Sequence, residues 1–227
     1  MADKTLRAIG SMGFRRVFLG VMDDQENVVK VVTVDESSGG TIELKTSGFS
    51  GQLNVEYASN IAYFVSDAGT GTGKIELSMM EIPSDVSTEI LGDKLNDDGI
   101  YMTTSDVKQP YVAIIAEAQD LNQKPMWIGV AKAKFATTDG NDFKTGEDKG
   151  MTPEKPSISG SAITRRLGKL VKTKASNSNG TTLAQFAKVM FPGFTGDLDS
   201  TTQTLDNEGH KTDGSSTTST TNEGVTA

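Results

Sequence analysis

The sequence predicts a mainly β protein with one short helix docked on the sheet, and three segments carry this prediction. Residues 28–34 are a run of β-branched side chains, and residues 111–135 contain two long strand-like segments around a turn. Between them, residues 73–92 join a strand to a short helix. Because so short a helix is unstable alone in water, it must pack on a sheet.

The N-terminal half contains the shorter predicted strands. Residues 15–22 and 28–34 are the first two, and residues 41–46 follow a turn of serine and glycine. Residues 53–57 and 60–66 are weaker strand candidates.

The strand-helix unit at 73–92 has clear local signals. Its strand alternates apolar and polar side chains, and Pro83 ends it. Ser84 is placed to cap a helix, and Gly92 supplies a left-handed stop. Val86 and Ile90 share one helical face. We expect this helix to cover one face of the sheet and to leave the other face free.

The best predicted hairpin pairs Tyr111–Gln119 with Met126–Phe135. Strict alternation along the second strand puts small side chains between two aromatic ones on one face, namely Trp127, Gly129, Ala131, Ala133 and Phe135. Such a face is expected to be closely covered by another element.

The C-terminal part alternates folded and polar segments. A long polar loop spans residues 137–156, and strands are predicted at 157–164 and 170–174. Residues 182–190 can form a short helix. Residues 195–227 are rich in serine and threonine and bury too little apolar surface to fold. We therefore expect a β domain over 1–194 and a flexible acidic tail over 195–227.

Composition excludes several kinds of active site. The chain has no cysteine, which excludes thiolate metal sites and Cys-His catalysis. Its one histidine, His210, lies far down the polar tail, which argues against zinc sites and Ser-His catalysis. The net charge is −8, and because residues 195–227 hold six acids and one base, the remainder has −3. This balance argues against a protein that grips nucleic-acid phosphates. No apolar run approaches the roughly 20 residues that cross a bilayer, and the N-terminus lacks the apolar core of a secretory signal.

Three motifs resemble known sites only superficially. Residues 68–75 approach a phosphate-binding loop, but they have Ala68 and Ile75 where the pattern needs glycine and a hydroxyl, and they open a strand. Residues 139–148 lack the alternating oxygen ligands of a calcium loop. No pair of acids stands out for hydrolysis. We expect no enzyme and no cofactor.

A basic stretch between residues 155 and 188 permits three interpretations. Its cations include Arg165, Arg166, Lys169 and Lys172, with no acid among them. They could contact phosphate, or they could form a charged surface that meets an acidic neighbouring subunit. An ordinary solvated sheet edge explains them equally well.

The order of these segments resembles the major tail tube protein of long-tailed, non-contractile bacteriophages (siphophages) of Gram-positive hosts. The similarity rests on residues 73–174: the strand-Pro-helix unit through Gly92, the strands that begin at Pro110 and Met126, and the exit from the long loop at residues 152–160. The serine- and threonine-rich tail departs from this pattern.

The resemblance implies a fold and a function. Family members fold as a β-sandwich or half-barrel flanked by a helix, and six copies form a ring whose sheets join edge to edge into one large barrel. The rings stack into the hollow tail tube through which DNA leaves the virion without being specifically bound. Further partners implied are the tape measure protein and the tail terminator and tail tip proteins. The location implied is the virion, after synthesis in the host cytoplasm, with no membrane partner.

The long loop is the predicted contact between subunits or rings. The residues assigned to it are Thr138, Asp139, Asp142, Phe143, Lys144, Asp148 and Lys149. Two other functions stay open: a ring-forming tube protein of a secretion machine, and a host-surface binding β domain that uses Trp127 or the loops as contacts.

Overall fold

The computed structural model describes residues 10–51, 53–67, 69–136, 145 and 153–198. These residues form a mainly β structure with two short helices, α1 (Val86–Leu91) and α2 (Leu183–Met190), and two single 3₁₀ turns, Leu167–Lys169 and Asn177–Asn179. The strands are β1 (Met12–Met22), β2 (Val28–Val34), β3 (Thr41–Ser47), β4 (Leu53–Ala58), β5 (Ile61–Asp67), β6 (Gly73–Met79), β7 (Lys94–Leu95), β8 (Tyr101–Met102), β9 (Tyr111–Gln119), β10 (Pro125–Phe135), β11 (Ser157–Ala162) and β12 (Lys172–Ser176).

One large antiparallel sheet organises the domain, in the order β2-β1-β9-β10-β11-β6-β3. Strand β10 has two partners along its second edge: its first half pairs with β12 and its last three residues pair with β11. The remaining strands form two separate hairpins, β4–β5 and β7–β8. The predicted mainly β fold is therefore confirmed.

The sheet curls around a core on its inner face. Buried side chains of β1, β2, β6 and β9 meet α1 in this core. The Thr41 hydroxyl donates to the Arg15 carbonyl at 3.0 Å, which brings the start of β3 against β1. This curvature makes the sheet a half-barrel with the inner core inside it.

Helix α1 packs on the sheet as predicted, but its start differs from the prediction. Val86 and Ile90 are fully buried, and Gly92 ends the helix with φ 81°. Residues 86–91 form a wider π-helical turn. Ser84 already lies inside the helical segment, so its predicted capping position was wrong. The bond from the Ser87 amide to the Pro83 carbonyl, 3.0 Å, begins the helix instead.

A second helix covers part of the outer face. Helix α2 buries its apolar side against β1, β9 and the first half of β10. The Trp127 and Phe186 rings lie 6.2 Å apart, and Thr182 and Gln185 form a capping box at the start of α2. The sequence predicted that the sheet face opposite α1 is free. This prediction is wrong for the part of that face that α2 covers.

A bulge in β10 corrects the predicted face of that strand. Its register to β9 shifts between Val130 and Ala133. Trp127 and Ala131 contact α2, whereas Ala133 and Phe135 join Val130 in the inner core. An extra residue in one strand exchanges its two faces beyond that point, so strict alternation failed there.

The packed part of the chain extends past the predicted end of the domain. Leu198 is only 4% exposed and packs with Phe194 and Leu183. The division into a domain over 1–194 and a tail over 195–227 stays a prediction, and residues 199–227 lie outside the described residues.

Candidate assembly surfaces

The hairpin β4–β5 is the most exposed apolar element of the described chain. Both of its strands lie outside the large sheet, and the residues of β4 are all exposed. Leu53 is 68% exposed, Tyr57 71% and Tyr63 77%. A lone two-stranded hairpin is marginally stable in water, and apolar surface of this kind marks a contact with another molecule.

The local sequence explains why the hairpin forms. Ser59 and Asn60 both have positive φ, 54° and 65°, which is the conformation of a two-residue type I′ turn. Val55 pairs with Val65 across the two strands. The alternation of apolar residues with Asn54 and Glu56 is the local signal for β4, although the sequence predicted both strands only as weaker candidates.

The junction between this hairpin and the sheet is tightly built. Gly48 has φ 74°, and a Cβ on Gly73 would lie 2.3 Å from the Phe49 ring. Phe49 packs against the inner core, so glycine at position 73 is needed for this close approach. Residues 69–72 of the segment that resembled a phosphate loop are part of this junction and lead into β6.

A second, smaller apolar patch lies on hairpin β7–β8. Leu95, Ile100, Tyr101 and Met102 are all exposed there. The Asp93 carboxylate fixes the base of this hairpin, because it accepts hydrogen bonds from Ser87 and Thr103, both at 2.6 Å.

The predicted basic surface is divided by the structure. Arg165 is 4% exposed and donates to the Val189 and Met190 carbonyls at 2.9 and 3.0 Å. These are the last carbonyls of α2, which a cation stabilises. Burial lowers the pKa of Arg165. Arg165 therefore holds α2 in place and does not belong to an exposed surface.

Arg166 anchors the same loop to the turn between β1 and β2. The buried Glu26 carboxylate accepts from Lys132 at 2.7 Å and from the Arg166 amide at 2.9 Å. Burial alone would raise the pKa of Glu26, but the hydrogen bonds from Lys132, Leu167 and Arg166 lower it to about 2. This cluster joins β1, β10 and the loop before β12 into one unit.

The other two residues of the predicted basic surface, Lys169 and Lys172, are not part of the Glu26 cluster. Lys169 is exposed with φ 49°, beside Gly168. Lys172 donates to the Thr46 hydroxyl at 3.0 Å and lies 5.3 Å from the centroid of the Phe49 ring. Three of the four predicted cations, Arg166, Lys169 and Lys172, are therefore exposed.

The buried carboxylate of β9, Glu117, has a structural role. Glu117 is buried and accepts from Arg16 at 3.1 Å and from the Trp127 indole at 2.9 Å. Trp127 itself is 3% exposed, so it cannot serve as a surface contact. The predicted loop residues Thr138, Asp139, Asp142, Phe143, Lys144, Asp148 and Lys149 lie outside the described residues.

Half of the outer sheet face is polar and is not covered by any other residue that the structure describes. On β3, β6 and β11 the side chains opposite the inner core include Lys45, Glu76 and Ser159. These side chains and Lys134 of β10 line a groove of about 820 Å³. Within the described ranges no cluster of acids and histidine could hold a metal ion. None of the helices described there has the length and apolarity to cross a membrane.

Comparison with models of known protein families gives a match. The family model described as phage tail tube protein matches residues 9–199, which is most of the chain and includes all of the large sheet. No curated protein matches. With this match and the curled, mainly β sheet, the chain belongs to the phage tail tube protein family and is a structural component of the virion tail.

Proposed function

We propose that six copies of this chain form a ring, that the rings stack into the tail tube, and that the tube conducts DNA during ejection. The exposed β4–β5 hairpin is the single observation that best supports self-association. It presents Leu53, Tyr57 and Tyr63 to solvent at a site that the rest of its own described chain does not cover. In a ring, a neighbouring subunit would bury this surface.

Free sheet edges also support ring formation. In the described part of the chain, β2 and β3 end the main path of the sheet and β12 pairs only with β10. Unpaired edges promote aggregation of a monomer, whereas pairing two different edges between neighbours generates a closed ring. The β-branched β2 is well suited to such pairing.

The bare polar half of the outer face is our candidate for the wall of the conduit. The other half is covered by α2, and the inner face is filled by the core. A polar wall remains hydrated, which suits the passage of a highly charged polymer. The polar half of the outer face is thus the one part of the described sheet surface that neither α2 nor the inner core covers.

The remaining features of the proposal concern partners. We propose that the loop at 137–156 becomes ordered on a neighbouring subunit or ring, and that the segment beyond Leu198 faces the outside of the tube. By membership in the tail tube family, the ends of the tube would meet the tape measure, terminator and tip proteins. Synthesis would take place in the host cytoplasm.

Negative-stain microscopy of the purified full-length chain over a range of concentrations tests the proposal. Tubes or sixfold rings are expected. A protein that stays monomeric at high concentration would favour the host-surface binding domain. The match to the phage tail tube family favours the phage tail over a secretion machine.

A further inference from the structure

We propose that hairpin β7–β8 of one copy docks against a basic, partly apolar patch on a second copy of this chain. The hairpin with its turn spans residues 94–102 and is called the acidic hairpin here. The basic patch consists of Leu167, Lys169, Lys188 and Val189. The place of this contact in a ring rests on the proposed function, whereas the attraction between the two surfaces is a property of the chain itself.

The acidic hairpin presents apolar side chains beside negative charge. Leu95 pairs with Tyr101 across its two strands, and these side chains are 46% and 47% exposed. The turn carries Asp97 and Asp98, which are both exposed and have no ion pair with any described residue. The tip therefore combines unneutralised negative charge with an apolar surface that the described chain leaves exposed.

The turn of the acidic hairpin is held in one conformation by its own hydrogen bonds. The Asn96 side-chain carbonyl accepts from the amides of Asp98 and Ile100 at 3.1 and 2.8 Å. Gly99 has φ 79°, a conformation that favours glycine. Lys94, the one cation in residues 94–102, lies at the end of β7 away from the turn. A preorganised tip of this kind loses little conformational entropy when it binds.

The basic patch has the complementary composition. Leu167 is 57% exposed and Val189 is 51% exposed. Arg165 holds them near each other, because its guanidinium donates to the Leu167 carbonyl at 3.2 Å and to the Val189 carbonyl at 2.9 Å. Lys169 and Lys188 are exposed and have no ion pair with a residue that the structure describes. The patch therefore offers apolar surface flanked by two cations.

Charge complementarity is the reason for choosing a second copy as the occupant. Residues 155–196 contain no acid, whereas residues 94–102 hold two acids and one lysine. Opposite charges steer two surfaces together and fix their register. The two surfaces differ, so the contact is heterologous, and a heterologous contact repeated around an axis generates a ring. Self-association in a tail tube, which the family implies, supplies the second copy.

The contact is too small to hold a ring by itself. The exposed apolar side chains of the acidic hairpin are those of Leu95, Ile100, Tyr101 and Met102. A stable interface of standard size buries about 1,600 Å² in total, far more than four side chains supply. The contact would therefore add to a larger interface, and its charges would select the correct pairing of surfaces.

Charge reversal on either surface should weaken assembly of the full-length chain. The two variants are Asp97→Lys plus Asp98→Lys, and Lys169→Glu plus Lys188→Glu. Each variant places like charges against each other when two identical copies meet. The critical concentration for tube formation, measured by pelleting, should therefore rise roughly 10- to 100-fold.

Recombining the reversed surfaces separates this contact from a general effect of charge. An equimolar mixture of the two double variants should assemble near the wild-type concentration, because each reversed hairpin then meets a patch of opposite charge. Strict alternation of the variants can close a ring of six, since six is even. A chain with all four reversals keeps the net charge of −8, because changes of +4 and −4 cancel, and it should assemble alone.

A matched control changes the same amount of charge elsewhere. Glu36→Lys plus Glu81→Lys reverses two exposed acids that lie outside both surfaces. This variant should pellet like the wild type and should gain nothing from mixing with Lys169→Glu plus Lys188→Glu. Equal weakening by the control would mean that net charge alone controls assembly and would overturn the contact.

The remaining outcomes identify what has failed. If the mixture and the chain with four reversals stay folded by circular dichroism but do not assemble, the contact is refuted. A peptide of residues 199–227 that binds through Lys169 and Lys188, with normal assembly after reversal of Asp97 and Asp98, would assign the patch to the chain's own acidic end. If the wild type forms no tubes, sedimentation velocity still measures pairing: association that depends on mixing the variants would refute the proposed tube alone. Normal tubes from both double variants would refute this contact alone.

Discussion

Removing the aromatic side chains of the β4–β5 hairpin should block assembly and leave the fold intact. The variant is Tyr57→Ser plus Tyr63→Ser. These rings are 71% and 77% exposed in the single chain, so they contribute little to its stability. We expect the free energy of unfolding to change by less than about 0.5 kcal/mol.

The effect on assembly follows from the area available for burial. An aromatic side chain buries about 150–250 Å², so covering both exposed rings removes roughly 300 Å² from water. At about 25 cal/mol/Å² this is at most about 7 kcal/mol per subunit. Because packing is imperfect and the hydroxyls are polar, we expect about half, 3–4 kcal/mol. The critical concentration should then rise roughly 10²- to 10³-fold.

Pelleting of tubes as a function of protein concentration measures this quantity, and negative-stain images identify the pelleted material. The control is Leu121→Ser, because Leu121 is 73% exposed in the turn between β9 and β10. Its critical concentration should match the wild type. Tubes that form from the tyrosine variant at the wild-type concentration would refute the role given to the hairpin.

Four further predictions concern stability and the polar segments. Glu26→Gln should lower the free energy of unfolding by about 3–5 kcal/mol, because Lys132 stays buried without its counter-charge. In thermal melting the Tm should fall by roughly 6–20 °C. An unchanged Tm would contradict the stabilising role of the Glu26 cluster. The pKa of Glu26 is lowered from 4.5 to about 2, so its ionised form contributes about 3 kcal/mol to the free energy of unfolding above pH 4.5. This contribution is lost as the pH falls towards 2. If the wild type and Glu26→Gln lose stability equally over this pH range, the assignment is contradicted. Deleting residues 137–156 should leave a folded chain that forms no tubes, and normal tubes would exclude the loop as an essential contact. A chain that ends after Leu198 should still form tubes, and absence of tubes from this variant would show that the tail is needed. A chain that ends after Phe194 should in addition have a free energy of unfolding lower by about 1.5–3 kcal/mol, because it loses the buried Leu198.

The sequence predicted most of the strands because their signals are local. Alternation along 73–79 and the β-branched run at 28–34 each placed a strand correctly. Gly92 and Pro83 likewise bounded α1, since their backbone restrictions act within the chain. These features need no knowledge of distant partners.

The errors arose where tertiary contacts decide the structure. The β10 bulge depends on how that strand changes partners from β12 to β11, which strict alternation cannot show. Arg165 looked like a surface cation because its acceptors, the carbonyls of α2, lie 24 and 25 residues away. Charge alone does not reveal such a buried capping role.

The importance of hairpin β4–β5, the main candidate for an assembly surface, also depends on tertiary structure that the sequence does not show. Hairpin β4–β5 has the alternation of a strand pair, but its apolar side chains stay exposed in the described chain. A sequence pattern shows that a face is apolar, and only a structure shows whether that face is covered. The exposed Tyr57 and Tyr63 therefore became informative once the sheet was in place.

The most direct test of the central claim is the symmetry of the particles formed by the purified full-length chain. Electron microscopy of concentrated protein, with class averages viewed down the particle axis, should show sixfold rings stacked into hollow tubes. Closed particles of another symmetry would contradict the ring size. Monodisperse single chains at every concentration would contradict self-assembly.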